Sequence, residues 1–166
     1  MKIGEIEKLV KPLYAKKDSM HNFHHIMRIK KKLTFLKKDY KKIEKERLNF
    51  LLYFHGLKGW VEKNKNKIMD LGFDEEDINS LKRHTKNPKT AEEKLVHDAN
   101  LLENVGRFGI QKSLIVGKKL GRTKEGTIDF LKENIDKVNF YTPTGKILGK
   151  KRIEIMKKFI KGAENK

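Results

Sequence analysis

Cysteine is absent from this 166-residue chain, which removes disulfide frameworks, thiol nucleophiles and cysteine-based zinc sites from consideration. Proline occurs three times and glycine twelve, too few breakers for a disordered linker or a fibrous repeat. Long apolar runs are missing as well. The longest, Phe50 to Phe54, is far too short to span a bilayer, and the opening Met-Lys-Ile-Gly-Glu-Ile-Glu-Lys places acidic residues where a secretory signal needs an unbroken apolar stretch. No membrane association is expected, and a cytoplasmic location is. Arginine is scarce, at positions 28, 47, 83, 107, 122 and 152 only, and aromatics make up 8% of the chain.

What is abundant is lysine. Lys and Arg total 40 against 22 acidic residues, a formal charge of +18, and 34 of the 40 are Lys. Such a charge invites a nucleic-acid reading. Against it, the lysines run through the whole chain with few aromatics among them for base stacking, which describes a solvated lysine-rich surface equally well. Both readings remain open on charge alone. The six histidines are more informative, because all of them precede residue 98.

The apolar spacing predicts helices throughout and no strand of useful length, hence an all-α single domain over residues 1–166. Helices are expected over 2–14, bent or ended near Pro12, and from an Asp18-Ser19 cap to about Tyr40, then from Lys41 to His55 with Gly56 and Gly59 as stop signals. More follow near 60–70, 75–85, 91–104, 107–120 and 124–136. The last should begin after Thr142-Pro143-Thr144-Gly145 and run to about Ile160, with Leu148, Ile155, Met156 and Phe159 as its stripe. The basic turn Gly117-Lys118-Lys119-Leu120-Gly121-Arg122-Thr123 lacks P-loop spacing, and no strand precedes it.

Polar residues on apolar faces are the anomaly. Ala91, Leu95, Asp98, Leu102 and Val105 step by four and three, so Asp98 points where the leucines point. His55 continues the face of Leu48 and Leu52, His84 that of Ile78 and Leu81, and His25 lies at the edge of the stripe Phe23, Ile26, Ile29, Leu33, Leu36, with His21 and Arg28 on its own side. A lone inward histidine is ordinarily a satisfied core residue. Four inward polar groups on four helices are another matter, because burial is costly unless each meets a partner. Imidazole nitrogens with a carboxylate suit a divalent transition metal such as Mn, Fe, Ni, Co or Zn.

The run Asp18 to Ile29, with His21, His25 and Arg28, resembles the H-D-x-x-H-x-x-R-V opening of the HD-domain metal-dependent phosphohydrolases, in particular their small YedJ-like bacterial branch. Phe50-Leu51-Leu52-Tyr53-Phe54-His55-Gly56 is similar to the run leading into the name-giving His-Asp pair. Arg83-His84-Thr85 with Pro88-Lys89-Thr90-Ala91-Glu92, then His97-Asp98-Ala99-Asn100-Leu101-Leu102, then Tyr141-Thr142-Pro143-Thr144-Gly145-Lys146 with Lys151-Arg152 and Met156 to Phe159, resemble later motifs of the branch in order. The likeness covers about residues 18 to 160.

That resemblance implies an HD-type helical bundle and hydrolysis of a small phosphorylated compound, a nucleotide being the expected example. It assigns His25, His55 and Asp98 as metal ligands, with Asp98 and His21 expected at the catalytic step; Arg28, which shares a helix face with His21 and His25, and Lys58 are candidates for phosphate contacts, and His84 for the substrate. His24 and His97, beside motif positions, are candidates for a replacement nitrogen. The chain departs from the pattern where it matters most. Gly56 stands in place of the Asp of the His-Asp pair, and Asn22 and Asn100 replace two further carboxylates. Two expectations follow: a reduced two-His, one-carboxylate centre with altered phosphohydrolase activity, or a catalytically inactive HD-like protein that binds a nucleotide, nucleic acid or a protein partner.

Overall fold

The computed structural model describes residues 3–164, and among these every regular element is a helix. Lys2, the first residue of the expected opening helix, lies outside the described residues. The chain divides into two compact units, one ending at His97 and the other starting at Asp98.

The first unit is built around α3 (Lys45–Phe54), which packs against α1 (Ile3–Ala15), α2 (Phe23–Leu36) and α6 (Glu75–Arg83). Residues 50 to 54 of α3 are all buried, as expected of a central helix that is apolar on every side. Phe50 stacks near Phe54 and Phe73 at ring separations of 5.0 and 4.5 Å. The stripe Ile26, Ile29, Leu33, Leu36 of α2 is buried as its spacing predicts. Its cap differs. Asn22, not Asp18-Ser19, accepts from the His24 N–H, because Asp18 is already bonded to the Met20 amide and the His21 ring. Pro12 sits inside α1, which continues to Ala15.

The expected stop at Gly56 holds, since α3 ends at Phe54, whereas Gly59 ends no helix. Residues 55–57 form a 3-10 turn that leads into α4 (Lys58–Lys63), with Gly59 inside it, and then α5 (Lys65–Asp70). Helix α6 opens with a complete capping box in which Asp74 and Asp77 each accept from the other's N–H. Its last turn is tied down by Arg83, which donates to Glu93, Glu76 and Ser80. Helix α7 (Ala91–Leu101) carries the boundary between the units.

The second unit packs α8 (Gly106–Lys119), α9 (Lys124–Ile135) and α10 (Pro143–Glu164) against one another. Thr123 caps α9 by accepting from Gly126. Helix α10 starts inside the expected turn, with Pro143 as its first residue and Gly145 in its first turn, where proline's fixed φ is suited and its missing N–H costs nothing. Of the expected stripe Met156 is buried and Ile155 is exposed; Gly145, Gly149 and Ile160 complete the inward face. Among the described residues no helix is long and apolar enough to cross a membrane.

Candidate functional site

Three of the inward histidines come together in the first unit. His25 on α2, His55 in the turn after α3 and His84 after α6 have relative exposures of 2%, 9% and 0%. The His25 and His55 rings meet edge to face at 5.2 Å, and His55 and His84 at 6.3 Å. His21 extends the row outward, 5.9 Å from His25, and its Nδ1 is 2.8 Å from the Asp18 carboxylate at the half-exposed rim.

Hydrogen bonds fix the tautomers. A carbonyl only accepts, so His84 Nδ1 carries a proton and donates it to Leu81 O at 2.7 Å, one turn back. Its Nε2 is then a lone pair, buried and with no hydrogen-bond partner. Burial, reinforced by the charge of Lys58, pushes the His84 pKa down to about 4, so the ring is neutral at pH 7. His55 Nδ1 faces Leu52 O at 3.3 Å in the same manner. His97 donates from Nδ1 to the His84 carbonyl at 3.0 Å, and His24 is exposed.

The cations assigned to the substrate are placed differently from each other. Arg28 is half-buried on α2, one turn beyond His25. Lys58 donates to the Lys82 carbonyl at 3.1 Å and to Thr85 Oγ1 at 2.7 Å, so two of its three protons hold the C-terminal end of α6. Burial first, and Lys86 second, lower its pKa.

Gly56, where the His-Asp resemblance calls for a carboxylate, faces Tyr14 of α1. The Tyr14 hydroxyl donates to Tyr53 O at 3.0 Å and accepts from the Gly56 N–H at 3.3 Å. A Cβ placed on Gly56 would meet that hydroxyl at 3.0 Å and the ring's Cε1 at 3.2 Å. Tyr14 is fully buried, which pushes its hydroxyl's pKa up. Sequence reading missed Tyr14, since on α1 it counts as one more member of the apolar stripe with Ile6 and Val10. Only the Gly at 56 signalled that something else fills the space.

Asp98, expected as metal ligand and catalytic group, is fully buried in the second unit and heavily bonded there. Its oxygens accept from the Tyr141 N–H at 3.1 Å, the Thr142 N–H at 2.7 Å and the Thr142 hydroxyl at 2.7 Å. Thr142 Oγ1 in turn accepts from the Gly145 N–H at 3.0 Å, capping α10. The partnership of Thr142 with Asp98 was not legible in the sequence.

These residues do not fit the metal centre that the resemblance implies. Gly56 supplies no side-chain ligand atom, and Asp98 accepts from donors at the start of α10. Among the described residues, no group of three or more His, Cys, Asp or Glu side chains stands where it could hold a metal ion.

No family model matches the sequence, and no curated protein matches it. Solved structures do. The crystal structure of Bacillus subtilis YpgQ in complex with ADP aligns over 99% of this chain and 97% of its own at TM-score 0.71 and 20% identity. A Lactobacillus plantarum protein aligns over 98% and 95% at TM-score 0.74 and 20% identity. An HD-superfamily hydrolase from Bacillus thuringiensis aligns over 98% and 94% at TM-score 0.71 and 21% identity. At these identities the likeness speaks for the fold alone: the chain shares the all-helical fold of these three structures.

Proposed function

We propose that this chain is a divergent HD-type protein of the YedJ-like branch that binds a small phosphorylated compound of the nucleotide class at the histidine row of its first unit, with metal-dependent hydrolysis reduced by the loss of the carboxylate at position 56. The observation that carries the reading is the buried row His25, His55, His84, ending in an Nε2 without a partner. An unsatisfied buried acceptor costs about 1 to 3 kcal/mol, a cost with no return in folding and one that a ligand's donor removes. The likeness to YpgQ, crystallised with ADP, supplies the ligand class.

The roles follow from charge state. A neutral His84 offers a lone pair, so it receives a hydroxyl or amine of the ligand and not a phosphoryl oxygen. Phosphate falls to Arg28 and to the third proton of Lys58. His21, oriented by Asp18, is the group able to give or take a proton at the rim. Titration calorimetry with nucleoside mono- and diphosphates, alongside phosphate release with Mn, Co, Ni and Mg, tests the reading. We expect binding tighter than about 1 mM, or roughly 4 kcal/mol, that weakens at least tenfold in Arg28→Ala. Turnover should lie close to that of a His55→Ala control. Absence of any nucleotide binding in that range would end the proposal.

A further inference from the structure

The mismatch at position 56 has a specific physical cause. Beside His55, position 56 is where the resemblance puts a carboxylate ligand, and Gly56 supplies none. The His25 and His55 rings are 5.2 Å apart, close to the roughly 5 Å separation of two imidazoles bonded at about 2.1 Å to one tetrahedral ion. What prevents a carboxylate beside them is Tyr14. Its phenol is held on both sides of the gap, donating to Tyr53 O and accepting from Gly56 N, and its ring lies 6.3 Å from that of Phe23. A side chain at 56 would begin 3.0 Å from its oxygen and 3.2 Å from its ring before any carboxylate is added.

The geometry points to Tyr14 and Gly56 as a coupled pair in which the Tyr14 phenol occupies the space of the missing carboxylate and closes the histidine row to a metal ion. This rests on reading His55-Gly56 as the altered His-Asp pair. It makes the loss of the carboxylate more than a point change: once the phenol has settled against a bare backbone, returning a carboxylate alone produces a clash in place of a ligand. The ring is fully buried and its hydroxyl is held by two hydrogen bonds.

Mn2+ binding to the untagged full chain, followed by electron paramagnetic resonance without nucleotide, tests the coupling in wild type, Gly56→Asp, Tyr14→Leu and the double variant. Unfolding curves verify that each is folded. Wild type and both single variants should bind Mn2+ with similar weak affinity, and the double variant at least about tenfold tighter, the scale on which supporting groups alter metal affinity. If the double variant does not fold, Tyr14→Phe/Gly56→Asp decides, since it removes only the hydroxyl; a gain over Gly56→Asp supports the coupling and no gain overturns it. The proposal is overturned if Gly56→Asp alone gains as much as the double, or if the folded double gains nothing. Nucleotide binding by wild type is read separately. Its failure would remove the functional reading while the Mn2+ ranking still decides the coupling.

Discussion

Asp98 and His84 satisfy the same sequence criterion, a polar group on an apolar helix face, and both are completely buried. Their surroundings are opposite. Around Asp98 two backbone N–H groups and a threonine hydroxyl converge on one carboxylate, and the helix that supplies them starts there. Around His84 one ring nitrogen is used and the other has no partner. Inward position therefore does not distinguish a buried group whose hydrogen bonds are made from one left with an unpartnered nitrogen. The partner inventory does, since a satisfied buried acceptor contributes to stability and an unsatisfied one subtracts from it.

The contrast is broken most severely at Asp98. Asp98→Ala strands the Tyr141 and Thr142 amides and the Thr142 hydroxyl, and should cost about 3 to 5 kcal/mol in urea unfolding. If Asp98 served chiefly as a ligand, the same change would leave stability unaltered or raise it. Gly145→Ala attacks the same cluster from outside, because its Cβ would overlap Asp98 Oδ2 and stand 2.5 Å from Thr142 Oγ1. A loss of about 2 to 4 kcal/mol is expected.

At His84 the effect has a pH dependence instead. The unfolded chain takes up this proton near pH 6.5, the folded protein only near 4. Between those values the unfolded state holds more protons, so stability rises with pH through the window and is lost as pH falls through it. Over the full window the contribution is on the order of 3 kcal/mol. His84→Asn, which keeps a donor toward the Leu81 carbonyl, should flatten the pH 4 to 6.5 limb of the wild-type curve. An unchanged slope would mean that His84 is not the titrating group.

Helix identity was legible from the period of the apolar residues, a local property; so were the inward positions of His25, His55, His84 and Asp98. Unreadable were the features set by packing. Gly59 looks like a stop signal and lies within α4, because the segment after Phe54 turns through one 3-10 step and resumes. Ile155 fits the stripe of α10 by spacing, yet Gly145 and Gly149 take the inward face. There Phe140 lies against Gly149, and the Asp98-Thr142 cluster lies against Gly145. Tyr14 and Gly56 sit 42 residues apart, and neither shows from its neighbours that it meets the other.

The smallest expected effect separates anchoring from ligand binding at Lys58. Its two bonds at the end of α6 place a cation where the last carbonyls of the helix favour one, a contribution of roughly 0.3 to 1 kcal/mol at a half-exposed position. Lys58→Met keeps the stem and removes the charge, so urea unfolding should show a loss within that range. Nucleotide affinity should fall by about tenfold if the third proton reaches phosphate, equivalent to about 1.4 kcal/mol. The two losses have different salt dependence: phosphate affinity weakens as salt screens an exposed charge, while a bond to a neighbouring carbonyl changes little. A nucleotide affinity that is identical in wild type and Lys58→Met would assign Lys58 to α6 alone, on the same side of the contrast as Asp98.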